Sequence, residues 1–303
     1  MTGARLLHRI IEVTVVVLFL TGCASPTIPH VQPTGQASTC GGRKLSILGV
    51  LRSTDHGATW TSLGNACMSE STIGAVDPTG LVFNGRVVLY VVDIESLGHP
   101  TPQIIYRTTS VDGVNFDQPQ PSYTQTRGMV DPFVLGMPGG FFRLYAPSDG
   151  EGIVSAVSSD GLVFMREDGV RTTVGGMPGA LLLPDNRVRL FLSSGGITSM
   201  ISGDGLNFTE ESGVRIPAPT NTIVDNPQPI HLADGSYLML FSVHDIEHHG
   251  QPAPWDFTEI RLATSTDGLD WTVNPSVIGY GGTSCVVEIP DGTLYLYYVN
   301  RDP

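Results

Sequence analysis

Ser53-Thr54-Asp55-His56-Gly57-Ala58-Thr59-Trp60 is the first of five copies of one short pattern. The others are Ser110-Val111-Asp112-Gly113-Val114-Asn115-Phe116, Ser159-Asp160-Gly161-Leu162-Val163-Phe164, Ser202-Gly203-Asp204-Gly205-Leu206-Asn207-Phe208 and Ser265-Thr266-Asp267-Gly268-Leu269-Asp270-Trp271. Each part suits a tight turn between strands. The carboxylate accepts backbone N–H groups, the glycine takes a positive φ, and the aromatic drops into the core. Successive aspartates stand 57, 48, 44 and 63 residues apart, the length of a four-stranded module with variable loops. The pattern therefore predicts an internal repeat.

Working outward from each copy gives the rest of the module. Apolar second strands are expected at Val87–Val92, Phe142–Tyr145, Val188–Phe191 and Tyr237–Phe241. Hairpin chemistry precedes them at Asn84-Gly85, Pro138-Gly139-Gly140, Asp185-Asn186 and Asp234-Gly235, and recurs at Asp291-Gly292. The 36 residues after Asp267 hold only two strands of a fifth module, ending at Tyr297-Tyr298-Val299. Leu45–Leu51 and the stretch around Trp60–Leu63 supply the missing two. The expected fold is all-β, a five-bladed β-propeller over residues 44–303 whose N- and C-terminal strands share one mixed blade, leaving no large exposed edge. The five turns resemble the Asp-box of sialidases and related propellers; the first has the full spacing and the other four are one residue shorter.

The 303 residues carry 16 Lys plus Arg against 29 Asp plus Glu, a formal charge of −13, and Lys44 is the sole lysine. Nucleic acid needs clustered positive charge and is not expected as a partner. The 36 Gly and 22 Pro lie between short apolar runs without a triplet period, which excludes collagen and disorder.

Arg5 and Arg9 precede an apolar run, Val13–Leu20, that is short for a membrane span and reads as a secretory signal over residues 1–22. Leu20-Thr21-Gly22-Cys23 resembles the bacterial lipobox, which implies acylation of Cys23, export and lipid anchoring in the cell envelope. An ordinary signal peptide cut near Ala24 and an uncleaved anchor are the alternatives. Residues 23–43, rich in Pro, Thr, Ser and Gln, read as a tether. Export permits a disulfide, and Cys40 with Cys67 flanks the first repeat; Cys285, in an apolar run, reads as a free buried thiol. The cysteine spacing matches no zinc motif. A monomer is expected.

In a propeller blade the inner strand starts on one face and the turn between strands three and four lies on the other, so the five repeat aspartates are structural. The opposite face gathers Val76-Asp77-Pro78, Val130-Asp131-Pro132 and Val224-Asp225-Asn226-Pro227 at strand starts, with Gly175-Gly176-Met177-Pro178 and Gly281-Gly282-Thr283 in the other two modules. Asp-Pro at strand starts of a five-bladed propeller resembles glycoside hydrolase families 43, 32 and 68. Arg127-Gly128-Met129-Val130-Asp131-Pro132 loosely resembles the Arg-Asp-Pro motif of the latter two, with two residues inserted. The resemblance implies that Asp77 is the general base and that Asp131 positions substrate and tunes the proton donor. The third-blade glutamate that the resemblance calls for is absent, its place held by Gly175–Gly179. Substitute donors on this face are Asp225, then Glu151 and Glu247.

Two loops on the same face look alike: Asp93-Ile94-Glu95 before His99-Pro100, and His244-Asp245-Ile246-Glu247 before His248-His249. Acids with histidine suit substrate contacts or a divalent cation, and equally suit a polar rim. No cofactor is required, and a structural or funnel-bound Ca2+ is compatible with these acids. Trp255, the tryptophan outside the repeats, suits stacking on a sugar or packing under its own loop. Arg127 is placed to orient a sugar hydroxyl. The expected partner is a neutral oligosaccharide or polysaccharide and the expected activity is hydrolysis; a non-catalytic carbohydrate-binding propeller and a sialidase-like hydrolase are the alternatives. A sialidase needs three converging arginines, whereas Arg143, Arg187 and Arg189 fall in hairpins or second strands.

Overall fold

The computed structural model describes residue 40 and residues 44–94, 102–125, 131–248 and 258–300. Cys23, Arg127 and Trp255 lie outside the described residues, as do Glu95 and His99. Regular structure in the described residues is β-strand, apart from a 3-10 turn at Ile246–His248.

Strands β1 (Lys44–Ser53) and β2 (Thr61–Met68) come first. Blade I follows with β3 (Ala75–Phe83), β4 (Arg86–Asp93), β5 (Gln103–Ser110) and two outer pieces, β6 (Asn115–Phe116) and β7 (Gln120–Gln125). Blade II is β8 (Phe133–Gly136), β9 (Phe142–Ser148), β10 (Gly152–Ser158) and β11 (Met165–Arg166). Blade III is β12 (Gly176–Leu182), β13 (Val188–Ser193), β14 (Gly196–Ser202) and β15 (Thr209–Pro217). Blade IV is β16 (Thr222–His231), β17 (Tyr237–Asp245), β18 (Glu259–Ser265) and β19 (Thr272–Val273), with β20 (Gly279–Tyr280) also paired to β18. The last strands, β21 (Ser284–Glu288) and β22 (Leu294–Val299), join the first two in the order β21-β22-β1-β2. Leu48 lies opposite Val299 and Ser53 opposite Leu294, so the two chain ends complete one mixed blade, blade V.

The inner strands close a ring, β3 against β8, then β12, β16, β21 and back to β3. Shape complementarity between blades is close: a Cβ at Gly179 on β12 would collide with the carbonyl oxygen of Pro227 on β16. Every pleated face between blades is filled by aliphatic and aromatic side chains, from Leu48 and Tyr90 to Phe191 and Leu240, all shielded from water.

The repeated turns explain how neighbouring blades lock. Asp55 accepts the Thr59 N–H at 2.9 Å and its hydroxyl at 2.6 Å, bonds that hold the carboxyl down at about 2. In each turn a serine hydroxyl two residues before the aspartate caps the glycine N–H; in the third copy that serine is Ser158, one residue before the expected Ser159. The glycines sit at φ between 68° and 84°, where a side chain is resisted. Their carbonyls then receive the preceding blade: Tyr297 Oη donates to Gly113 O at 2.8 Å, Tyr90 Oη to Gly161 O at 2.7 Å, and Tyr145 Oη to Gly205 O at 2.8 Å. The same tyrosines meet the turn aromatics Phe116, Phe164 and Phe208 edge to face. At the next junction Phe191 has no hydroxyl, and the bond made there is Arg189 Nη1 to Asp267 O at 3.3 Å, the counterpart of Arg143 Nη1 to Asp204 O at 2.8 Å. Tyr145→Phe removes a buried donor and orphans a buried carbonyl, so it should destabilise by about 1–2 kcal/mol. A chemical-denaturation curve checks it; an unchanged midpoint would mean that the latch contributes nothing.

Cys40 and Cys67 form a disulfide, with Cα atoms 5.4 Å apart. Cys67 ends β2 where it runs parallel to β6 of blade I, and its N–H donates to Val114 O at 2.9 Å. The crosslink thus sits at the junction where the last blade meets the first. Cys285 is a free thiol buried on β21, its pKa pushed up by burial.

Candidate active site

Four inner strands begin in the same strained way. Asp77, Met177 and Asn226 on β3, β12 and β16, and Asp131 just ahead of β8, each take a left-handed φ, of 49°, 46°, 52° and 56° respectively. Each is followed by a proline: Pro78, Pro178, Pro227 and Pro132. Proline supplies no N–H to the ladder, and the register slips at this point in blades I, III and IV. From this turn the Asp77 side chain reaches outside its own blade, to the Thr283 hydroxyl and the Asp131 N–H. Non-glycine residues in this region cost free energy, and such strain gathers at functional sites.

The register separates the third strand-start acid from the other two. The residue equivalent to Asp77 and Asp131 in blade IV is Asn226; Asp225 stands one residue earlier, opposite Ser242 on β17. Blade III carries Met177 at the same place, so no acid stands there.

The three aspartates nevertheless come together. Asp77 is 9% exposed, Asp131 4% and Asp225 7%. Asp77 Oδ1 accepts the hydroxyl of Thr283 at 2.8 Å, and Oδ2 faces the Asp131 N–H at 3.4 Å. Burial raises the Asp77 carboxyl, and these two hydrogen bonds oppose the rise. Asp131 is raised well above the usual carboxylate range by burial and then by the charges of Asp77 and Asp225. Burial raises Asp225 to about 7. His244, on β17, brings Nε2 to 3.9 Å from Asp225 Oδ2. The two donors at Asp77 favour its ionised form, while the two neighbouring carboxyls favour the protonated form of Asp131. One cluster thus contains a carboxylate suited to accept a proton and a carboxylic acid suited to give one near neutral pH.

Asp225 also lines a cavity of ≈ 300 Å³ between blades III and IV with Met177, Ser193, Thr222 and Val224. A second cavity, of ≈ 280 Å³, occupies the channel beyond the acids, lined by Thr79, Val134, Leu181, Gln228 and Cys285. Only the first offers space directly beside a titratable acid of the cluster.

The other sequence candidates lie apart from the cluster or are otherwise engaged. Glu151 is exposed on the β9–β10 turn and paired with Arg166 at 2.6 Å, a hydrogen bond and charge that lower its pKa. Asp93 accepts the Gly74 N–H at 3.0 Å and so caps the end of its own blade. Glu247 is exposed in the 3-10 turn after β17. Arg143 and Arg189 form bidentate pairs with Glu167 and Glu211, and Arg187 pairs with Asp185 at 2.7 Å. These arginines therefore have carboxylate partners within the fold. Among the described residues no group of three or more His, Cys, Asp or Glu is arranged to hold a metal ion.

Thr283 and Asn226 are the polar residues of this site that the sequence reading did not assign. Counting register from each proline, rather than from the nearest acid, is the signal that finds Asn226. The contact from Thr283 spans blades V and I and has no local sequence signature.

No protein-family model matches the chain, and no curated protein matches it. Solved structures do. A thermostable family-43 glycoside hydrolase superposes with TM-score 0.57 at 17% identity, covering 74% of this chain and 83% of that one. An endo-1,4-beta-xylanase from Bacteroides thetaiotaomicron gives TM-score 0.54 at 16% identity over 74% and 84% of the two chains. A GH43_1 enzyme from Xanthomonas citri, complexed with xylose, gives 0.54 at 16% over 75% and 82%. What the chain shares with these glycoside hydrolases is the β-propeller fold.

Proposed function

We propose that the protein is an exported glycoside hydrolase, lipid-anchored through Cys23, that cleaves a neutral glycan with Asp77 as base and Asp225 as acid. The observation that carries the reading is the gathering of three buried carboxyls at the inner-strand starts, with Asp131 close enough to feel both of the others. Asp77 takes a proton from water as its oxygen attacks the anomeric carbon. The glycosidic C–O bond breaks, and Asp225 gives its proton to the departing oxygen. Burial keeps Asp225 from ionising early. With water between base and sugar, the base and donor carboxyls are expected ~6.5–9.5 Å apart and the anomeric centre inverts. The net charge of −13 and the acids at the site disfavour anionic sugars.

One observation favours a second reading, a propeller that binds glycans without cutting them: Met177 fills the third-blade strand start. A single experiment separates the two. The soluble domain is incubated with arabinan, xylan, fructan and cell-wall glycans, and both product release and retention are measured. Products from wild type that vanish in Asp77→Asn and Asp225→Asn support hydrolysis. Retention without products, surviving both substitutions, replaces it with the binding reading.

A further inference from the structure

Asn226 occupies in blade IV the position that Asp77 and Asp131 occupy in blades I and II, with the same left-handed turn and the same following proline. It is 2% exposed. Its orientation is held from both sides: its backbone N–H donates to Ser193 Oγ at 3.2 Å, and Gln228 Nε2 donates to its side-chain Oδ1 at 3.3 Å. The amide oxygen is therefore engaged, and the Nδ2 end is left buried with no hydrogen-bond partner. A buried N–H group without a partner lowers the stability of a fold, and native structures leave few of them. A glycine, at ease at this φ, would take the same turn without burying an unpaired donor.

We propose that Asn226 is a specificity residue whose Nδ2–H2 donates to the oxygen of a hydroxyl on the sugar held at the strand starts. The inference rests on the glycan reading above and deepens it. An amide nitrogen only donates, so this position reads a hydroxyl through its oxygen. A ring lacking that hydroxyl leaves the amide unsatisfied and is rejected, because a site built to bond a hydroxyl discriminates strongly against its absence.

The test uses whichever of arabinan, xylan and fructan the wild type retains, together with monodeoxy analogues of that polymer's monomer as competitors. Wild type should reject one analogue by tenfold or more relative to the parent sugar. Asn226→Gly should lose tenfold or more in retention and lose that discrimination, in protein that still unfolds cooperatively. Equal competition by every analogue in wild type overturns the assignment without any variant, and so does retention by Asn226→Gly that matches wild type. Wild type that neither retains nor cleaves any of the polymers overturns both this inference and the glycan reading.

Discussion

Asp225→Asn should abolish cleavage and at the same time stabilise the fold above pH 7. The folded-state pKa of Asp225 is about 7, against 3.8 for an ordinary aspartate. Below the unfolded value both states hold the proton and the carboxyl costs nothing. As pH rises the unfolded chain ionises first, and stability is lost progressively until the folded group also ionises near pH 7. Above that point the loss is constant, at about 1.4 kcal/mol per unit of pKa difference, or roughly 4 kcal/mol as an upper value. An amide cannot ionise, so the variant escapes this loss; with imperfect hydrogen bonding of the new N–H2 offsetting part of it, a gain of about 2–4 kcal/mol is expected. Denaturant unfolding at pH 4 and pH 8 checks the sign, because the gain must grow between them. Activity should fall about 10²–10⁴-fold, the contribution of a positioned acid. A variant that is less stable than wild type at pH 8, or that still cleaves at the wild-type rate, would remove Asp225 from the donor role.

The repeat made the fold legible from the sequence because its turns are local. Ser, Asp and Gly within four residues make hydrogen bonds to one another, so their identity reports their structure directly. The mixed blade was legible by counting strands, since β21 and β22 need two partners and the N-terminal segment has two to offer. The acids were legible as residue types near prolines. What escaped was anything decided by register or by contact across blades. Asp225 and Asn226 are adjacent in sequence, yet one points toward β17 and His244 while the other takes the strand-start turn, a choice set by the ladder slip at Pro227. Thr283 reaches Asp77 across 206 positions. Glu151 read as a substitute donor, but Arg166 on the outer strand pairs with it at 2.6 Å, a contact set by pairing between strands and not by local sequence.

Asp77→Asn should lower kcat/KM on the cleaved polymer by about 10²–10⁴-fold, with retention of the polymer kept, since the amide has the shape of the carboxylate and cannot take the proton. A loss of retention in step with the loss of products would instead assign Asp77 to binding. A subtler variant, Thr283→Val, tests the base through its pKa. The Thr283 hydroxyl donates to Asp77 at 2.8 Å and opposes the rise that burial causes. Without it the pKa of Asp77 must climb, so the base stays protonated to higher pH. The acid limb of kcat/KM should move upward while the alkaline limb, set by Asp225, stays in place, narrowing the profile from one side. Thr283 reaches Asp77 from the start of the neighbouring blade's inner strand, so a merely structural effect of its loss would lower the whole profile without shifting one limb. A limb that does not move would mean that Asp77 is not the group whose ionisation starts the reaction.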